Sequence, residues 1–120
     1  MGYYRPDCFN QPEKFDLEIF KVIEGDCDPY GFNEFVVWRH IKTNKLYWAI
    51  DYGCSCPTPW EWATSIETLS ELDKDSFEQF DTELDSWGTY GKDNCSDYIQ
   101  AQKVSLEIKI LRYWRDNELL

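Results

Sequence analysis

Apolar and polar residues alternate along three segments in the first half of the chain. These segments are residues 14–23, 32–41 and 46–52. In the first of them, Leu17 and Ile19 alternate with Asp16 and Glu18. A period of two residues is typical of half-buried strands. Because the connections are too short for the crossovers that parallel strands need, the pattern predicts an antiparallel meander of three strands.

The spacing changes to that of a helix in the second half of the chain. Four apolar residues at i, i+3, i+7 and i+10 form one stripe: Phe77, Phe80, Leu84 and Trp87. Such a stripe predicts an amphipathic helix over residues 76–87. Asp75 is placed to cap its start, and Gly88 lies where a helix would end.

Two further segments of the second half carry less specific patterns. Residues 64–67, Thr-Ser-Ile-Glu, have the form of a capping box, which predicts a short helical turn from Thr64 to about Leu72. Residues 102–113 alternate as a strand would, but they lie in a stretch without Gly or Pro that is long for a strand. We favour a C-terminal helix there, and the alternative would add a fourth strand to the sheet.

These elements together predict a single α+β domain. An N-terminal arm (residues 1–12) precedes the antiparallel sheet (13–52), a loop rich in Cys, Pro and Trp follows (53–63), and residues 64–120 are mainly helical. Two or three C-terminal helices then cover one face of a sheet of three or four strands. Apolar residues make up 42% of the 120 positions and aromatic residues 18%, enough for a core that disordered chains lack.

Acidic residues dominate the charge of the chain, which is −11 in total. Residues 61–97 alone contain eleven acidic and two basic residues. A surface of this sign repels phosphate, so we expect no direct binding of nucleic acid and a protein partner with a basic surface. Four carboxylates on the predicted helix are candidates for that contact: Glu78, Asp81, Glu83 and Asp85. The alternative is that they form a solvated face that keeps the protein soluble.

Trp60 and Trp62 lie in an aromatic-rich part of the sequence that also includes Trp48 and Tyr52. Trp and Tyr are enriched among the residues that dominate protein interfaces, so Trp60 and Trp62 could anchor a partner. The alternative, which we favour, is that the aromatic residues close the core at the edge of the sheet. The two interpretations differ in whether Trp60 and Trp62 are exposed.

Cys54 and Cys56 are two residues apart on a segment that we expect to be extended, so their side chains point to the same side. They could supply two sulfur ligands to a structural zinc ion. Four other residues could complete the set of ligands: Cys8, Cys27, Cys95 and His40. The alternative is that the cysteines are small thiols packed beneath the loop. The odd number of five cysteines argues against a disulfide framework.

The sequence offers little catalytic chemistry. It contains a single His, and it lacks a glycine-rich phosphate loop, a nucleophile elbow and a paired-His zinc motif. We therefore expect no enzyme activity and no cofactor apart from the zinc considered above. The first residues lack the basic-then-apolar pattern of a secretory signal, and no apolar run approaches the ~18 residues of a membrane span, so the expected location is the cytoplasm.

Residues 53–61, GCSCPTPWE, resemble the GCSCPSPFE-like motif of a family of small proteins encoded by actinobacterial phages. The chain differs from that motif conservatively, at Thr58 and Trp60. Shorter matches, such as residues 46–48 (LYW), extend the resemblance over about residues 12–72. The resemblance implies a non-virion phage product that acts in the cytoplasm of the host bacterium, and it brings no catalytic residues with it.

Two functions follow from these observations. The first is a protein-binding module that modulates a host protein, in host takeover or in blocking an antiphage defence, with an acidic face that imitates the charge of nucleic acid. The second is a domain that binds a small ligand or structural zinc at the loop from Cys54 to Trp60.

Overall fold

The computed structural model describes residues 5–25, 31–54, 59–87 and 97–119. Within these ranges it contains four strands and two α-helices: β1 (Leu17–Glu24), β2 (Gly31–His40), β3 (Leu46–Cys54), β4 (Ser70–Leu72), α1 (Phe77–Ser86) and α2 (Asp97–Asp116). Two short 3-10 helices, Pro12–Phe15 and Ile66–Thr68, precede β1 and β4. The predicted α+β class is therefore confirmed.

All four strands belong to one antiparallel sheet with the order β1-β2-β3-β4. The hairpin from β2 to β3 is closed by a hydrogen bond of 2.7 Å that the amide of His40 donates to the carbonyl of Lys45. Asn44 adopts the left-handed conformation in this turn, with φ of 62°, which Asn tolerates better than most residues. The predicted meander of three strands is thus correct, and β4 adds a fourth strand at its edge.

A β-bulge divides β1 into two halves that use opposite sides of the sheet. The register of β1 against β2 shifts between Ile19 and Lys21, so Phe20 is an extra residue in the ladder. One extra residue reverses the side on which every later side chain lies. Leu17 and Ile23 consequently pack into different cores, although both have odd numbers in the same alternating segment.

The two helices cover one face of the sheet and bury the larger of the two cores. Phe35 lies at its centre and stacks on Trp48. Phe80 of α1 and Trp87, which follows α1, make edge-to-face contacts with Phe35. α2 contributes four apolar side chains: Ile99, Leu106, Ile110 and Trp114. The helix predicted over residues 76–87 and the favoured C-terminal helix are both confirmed, and neither of these two described helices could cross a membrane.

The other face of the sheet is covered by the N-terminal arm and by the segment before β4. The amide of Cys8 donates to the carbonyl of Ala63, and the indole of Trp38 in β2 donates to the carbonyl of Cys8. Eight residues form this smaller core: Cys8, Leu17, Val36, Trp38, Ala49, Trp60, Ala63 and Leu69. The sheet is therefore buried on both faces, with helices on one face and irregular segments on the other.

The predicted helical turn from Thr64 to Leu72 is wrong over most of its length. Only Ile66–Thr68 forms a turn, a 3-10 helix that no side chain caps. Ser70–Leu72 is extended because it pairs with the outer edge of β3, where Leu72 lies opposite Leu46 and is buried. Pairing along an open sheet edge and burial of Leu72 outweigh the local capping signal.

The turn that leads into α1 is stabilised by Asp73 rather than by the predicted cap, Asp75. Asp73 Oδ1 accepts a hydrogen bond of 2.8 Å from the amide of Ser76, and Ser76 Oγ accepts one of 3.0 Å from the amide of Asp73. The bond from the Ser76 amide is the main reason why the pKa of Asp73 lies below its usual range. Gly88, the predicted end of the helix, lies outside the described residues.

Candidate functional site

Trp60 is fully buried, so it cannot be the exposed anchor that one interpretation of the sequence required. Its indole Nε1 donates to Glu34 Oε1 at 2.9 Å, and its backbone amide donates to Asp51 Oδ2 at 2.7 Å. The ring stacks on Phe9 and makes an edge contact with Trp38. The φ of Trp60 is 66°, a costly conformation for a bulky residue that these contacts hold in place. Its interpretation as a core residue is confirmed.

Trp62 lies at the surface beside Trp60, with 39% of the residue exposed and the two ring centroids 5.6 Å apart. It therefore lies on the side of the sheet that the N-terminal arm covers. α1 packs on the opposite side, through Phe80 and Leu84. Trp62 and the acidic residues of α1 consequently do not form one continuous contact surface.

The structure does not bring Cys8 and His40 together with other described residues that could hold a metal ion. Cys8 is buried, and burial, together with the negative charge of Asp7, raises the pKa of its thiol to about 12, so a thiolate is disfavoured there. Nδ1 of His40 accepts a hydrogen bond of 3.2 Å from the amide of Thr43. Within the residues that the structure describes, no group of three acidic, His or Cys side chains is arranged to hold a metal ion.

The zinc site considered at Cys54 and Cys56 stays a hypothesis. Cys54 is the last residue of β3. Cys56 lies outside the described residues, and so do Cys27 and Cys95, two of the residues that could complete the site. The same holds for the middle of the loop in which a small ligand was expected.

The four acidic candidates on α1 are divided between two sides of the helix. Glu78, Asp81 and Asp85 follow one another at i, i+3 and i+7 and so lie along one line. Glu83 is two or five residues from each of them, which places it on a different side of α1. Glu78 and Asp85 are exposed, Asp81 is half-buried, and α1 contains no Lys or Arg. The structure thus brings three of the four predicted residues together.

Glu107 of α2 joins this line from the neighbouring helix. Burial, a hydrogen bond between its carboxyl group and that of Asp81, and the charges of Asp81 and Asp85 raise the pKa of Glu107 to about 7. Lys103, one turn earlier on α2, is buried, and its Nζ donates to the main-chain carbonyl of Asp85 at 3.0 Å. We call Asp81, Asp85, Lys103 and Glu107 the seam cluster, because they lie where α1 and α2 meet.

Sequence reasoning missed Lys103 and Glu107. Their i, i+4 spacing places them on one side of α2, but only the packing of α2 against α1 brings them beside Asp81 and Asp85. Because the pKa of Glu107 is about 7, this carboxyl group takes up a proton near neutral pH, and the negative charge of the seam cluster then falls. A cationic group of a partner would compete with that proton for the carboxylates.

Residues 7–108 of the chain match a protein family described as a domain of unknown function, DUF7574. The chain belongs to this family. No curated protein and no solved structure matches it. The DUF7574 match includes the whole sheet, α1 and the first part of α2. Every residue of the seam cluster therefore lies inside the DUF7574 domain, whereas the last turns of α2 lie beyond the match.

Proposed function

We propose that this DUF7574 protein is a phage-encoded, acidic protein-binding module that modulates a basic protein in the cytoplasm of its bacterial host. The observation that carries the proposal is the line of carboxylates Glu78, Asp81 and Asp85 on a helix without a basic residue. The phage origin and the bacterial location rest on the resemblance of residues 53–61 to the motif of a phage family.

The density of charge on α1 supports imitation of nucleic acid. Glu78 and Asp85 are about 10 Å apart along the axis, because a helix rises ~1.5 Å per residue. A strand of DNA carries one phosphate per ~3.4 Å of axis, so it also places about three charges in that length. A groove that binds DNA or RNA would meet a similar number of charges on α1. The total charge of −11 adds long-range attraction to a basic partner.

No tryptophan anchors the contact that we propose between α1 and its basic partner. Trp60 is buried, and Trp62 lies on the other side of the sheet from α1. Binding then depends mainly on exposed charges, which salt screens over a Debye length of about 10 Å at 0.1 M. We therefore expect the complex to dissociate when the salt concentration is raised.

A pull-down from a nuclease-treated lysate of an actinobacterial host tests the proposal. The test variant is Glu78→Lys/Asp85→Lys, which reverses two exposed charges on α1 without entering the core. The matched control is Glu13→Lys/Glu67→Lys, which makes the same change of charge at two exposed residues outside α1. Circular dichroism establishes that both variants are folded as the wild type is.

The expected result is a basic nucleic-acid-binding protein that the wild type and the control variant capture and the α1 variant does not. That protein should also be released by raised salt and displaced by added DNA or RNA, because they compete for the same groove. Capture of the same proteins at the same yield by the α1 variant would contradict the proposal.

A further inference from the structure

α2 has two apolar faces, and only one of them packs against the sheet. Leu106 and Ile110 are buried in the core, whereas Val104 and Ile108 on the opposite face are exposed to 49% and 44%. A shallow groove runs along that opposite face, and all the described residues that line it belong to α2. We define the outer face of α2 by six of them: Asp97, Ala101, Val104, Ser105, Ile108 and Arg112.

The charges of the outer face are complementary when two copies of α2 run antiparallel. If the two helices cross midway between Val104 and Ser105, each residue lies opposite the one at the same distance on the other side of that midpoint. Asp97 of each copy then lies opposite Arg112 of the other. Opposite charges therefore meet at both ends of the contact, and Val104 and Ser105 of both copies lie at its centre.

The apolar side chains match in the same register. Ala101 lies opposite Ile108, which sets a small side chain against a large one, as close packing of two helices requires. A contact in which residue i meets j and j meets i is the isologous contact of a two-fold dimer.

We propose that two copies of this chain form an antiparallel, two-fold symmetric dimer through the outer face of α2. The total charge of −11 makes two copies repel each other over most of their surface. On the outer face, by contrast, Asp97 and Arg112 balance each other. Lys109, which also lines the groove, donates its Nζ to the carbonyl of Phe20 in β1. A parallel arrangement would set Asp97 against Asp97 and Arg112 against Arg112, so the charges select the antiparallel one.

The size of the contact sets the concentration at which it forms. One helix per copy buries less than the roughly 800 Å² per partner of a standard stable interface. Sedimentation velocity should therefore be measured at chain concentrations from about 10 to 500 µM, a range suited to an interface below standard size. The apparent mass is expected to double from 14.4 kDa as concentration rises.

Ile108→Asp should leave the chain monomeric, because it puts a charge where the apolar side chain of Ile108 packs against Ala101 of the other copy. Ile41→Asp is the matched control, since Ile41 is exposed to 48% in the turn after β2 and is no part of α2. It should dimerise as the wild type does. Circular dichroism separates loss of the dimer from loss of the fold.

Charge exchange tests the register. Asp97→Arg sets Arg against Arg112, and Arg112→Asp sets Asp against Asp97, so each single variant should dimerise at least about fivefold more weakly. The double variant restores opposite charges and should recover the strength of the wild type. An equimolar mixture of the two single variants should associate as well, because each then faces its complement.

Three results would overturn the proposal. The first is a wild-type chain that stays monomeric at the highest concentration. The outer face would then serve a different protein, if Ile108→Asp weakens binding of that protein. The second is equal dimerisation of Ile108→Asp and the wild type. The third is single charge variants that dimerise as the wild type does, which would exclude the antiparallel register.

Discussion

Glu107 makes the stability of the domain depend on pH. Comparison of the wild type with Glu107→Gln gives the size of this dependence. In the folded chain the carboxyl group of Glu107 has a pKa of about 7, against an ordinary value of 4.5. Between these values the unfolded chain has lost the proton that the folded chain still holds. Protonated Glu107 therefore makes its full contribution to the free energy of unfolding below pH 4.5, and this contribution is lost as pH rises to about 7.

The difference between the two pKa values corresponds to at most about 3 kcal/mol. Glu107 is only half-buried, so solvent screens its interactions, and we expect about 1 kcal/mol. Gln has nearly the same shape, stays neutral at every pH and can still form a hydrogen bond with Asp81. Glu107→Gln should therefore raise the free energy of unfolding by about 1 kcal/mol at pH 8, and by less than half of that at pH 5.5.

Urea unfolding followed by tryptophan fluorescence gives both free energies, since small single domains usually unfold in one cooperative step. The lower pH stays above the isoelectric point of about 4.4, where the chain is least soluble. Glu78→Gln is the matched control, because it removes one charge from an exposed position on α1, and we expect a change within about 0.5 kcal/mol. An equal effect of Glu107→Gln at both pH values, or lower stability at pH 8, would refute this reasoning.

Three further predictions concern the core and the turn before α1. Asp73→Ala removes the hydrogen bond that the Asp73 carboxylate accepts from the amide of Ser76, and it should lower the free energy of unfolding by about 1 kcal/mol in urea. Trp60→Ala should lower it by about 3–5 kcal/mol, whereas Trp62→Ala should cost much less; similar losses would contradict the different burial of the two residues. Cys8 should react with a thiol reagent only after unfolding, as mass spectrometry of labelled peptides can show, and fast labelling of the folded chain would count against its burial.

The strands and helices could be predicted where one period continues over many residues. The alternation of 46–52 survives as a division between the two cores, since Leu46 and Trp48 lie in the larger core and Ala49 in the smaller one. The stripe of 76–87 survives as the buried side of α1. β4 could not be predicted, since three residues are too few to show alternation and their conformation is set by the open edge of β3. The bulge at Phe20 was hidden for another reason: the adjacent apolar pairs Ile19–Phe20 and Val22–Ile23 fit either side of a sheet that is buried on both faces.

The candidate site was predicted less well than the fold, because its composition depends on tertiary packing. The i, i+3, i+7 spacing of Glu78, Asp81 and Asp85 is visible in the sequence, and the structure keeps it. That Glu107 comes within hydrogen-bonding distance of Asp81 depends on how α2 lies against α1. The burial of Trp60 depends equally on the arm, since the ring is stacked on Phe9, a residue far away in the sequence.

The seam cluster and the outer face of α2 can be separated by pH. A basic partner that binds beside Asp81 is also attracted by Glu107 when that carboxyl group is ionised, so its affinity should fall as pH drops below about 7, where Glu107 takes up a proton. Glu107→Gln fixes one of the two groups as neutral and should remove this dependence. Dimerisation through Asp97 and Arg112 uses neither carboxylate, so the same substitution should leave it unchanged. A substitution at Glu107 that weakened partner binding and dimerisation alike would show that the two surfaces are one.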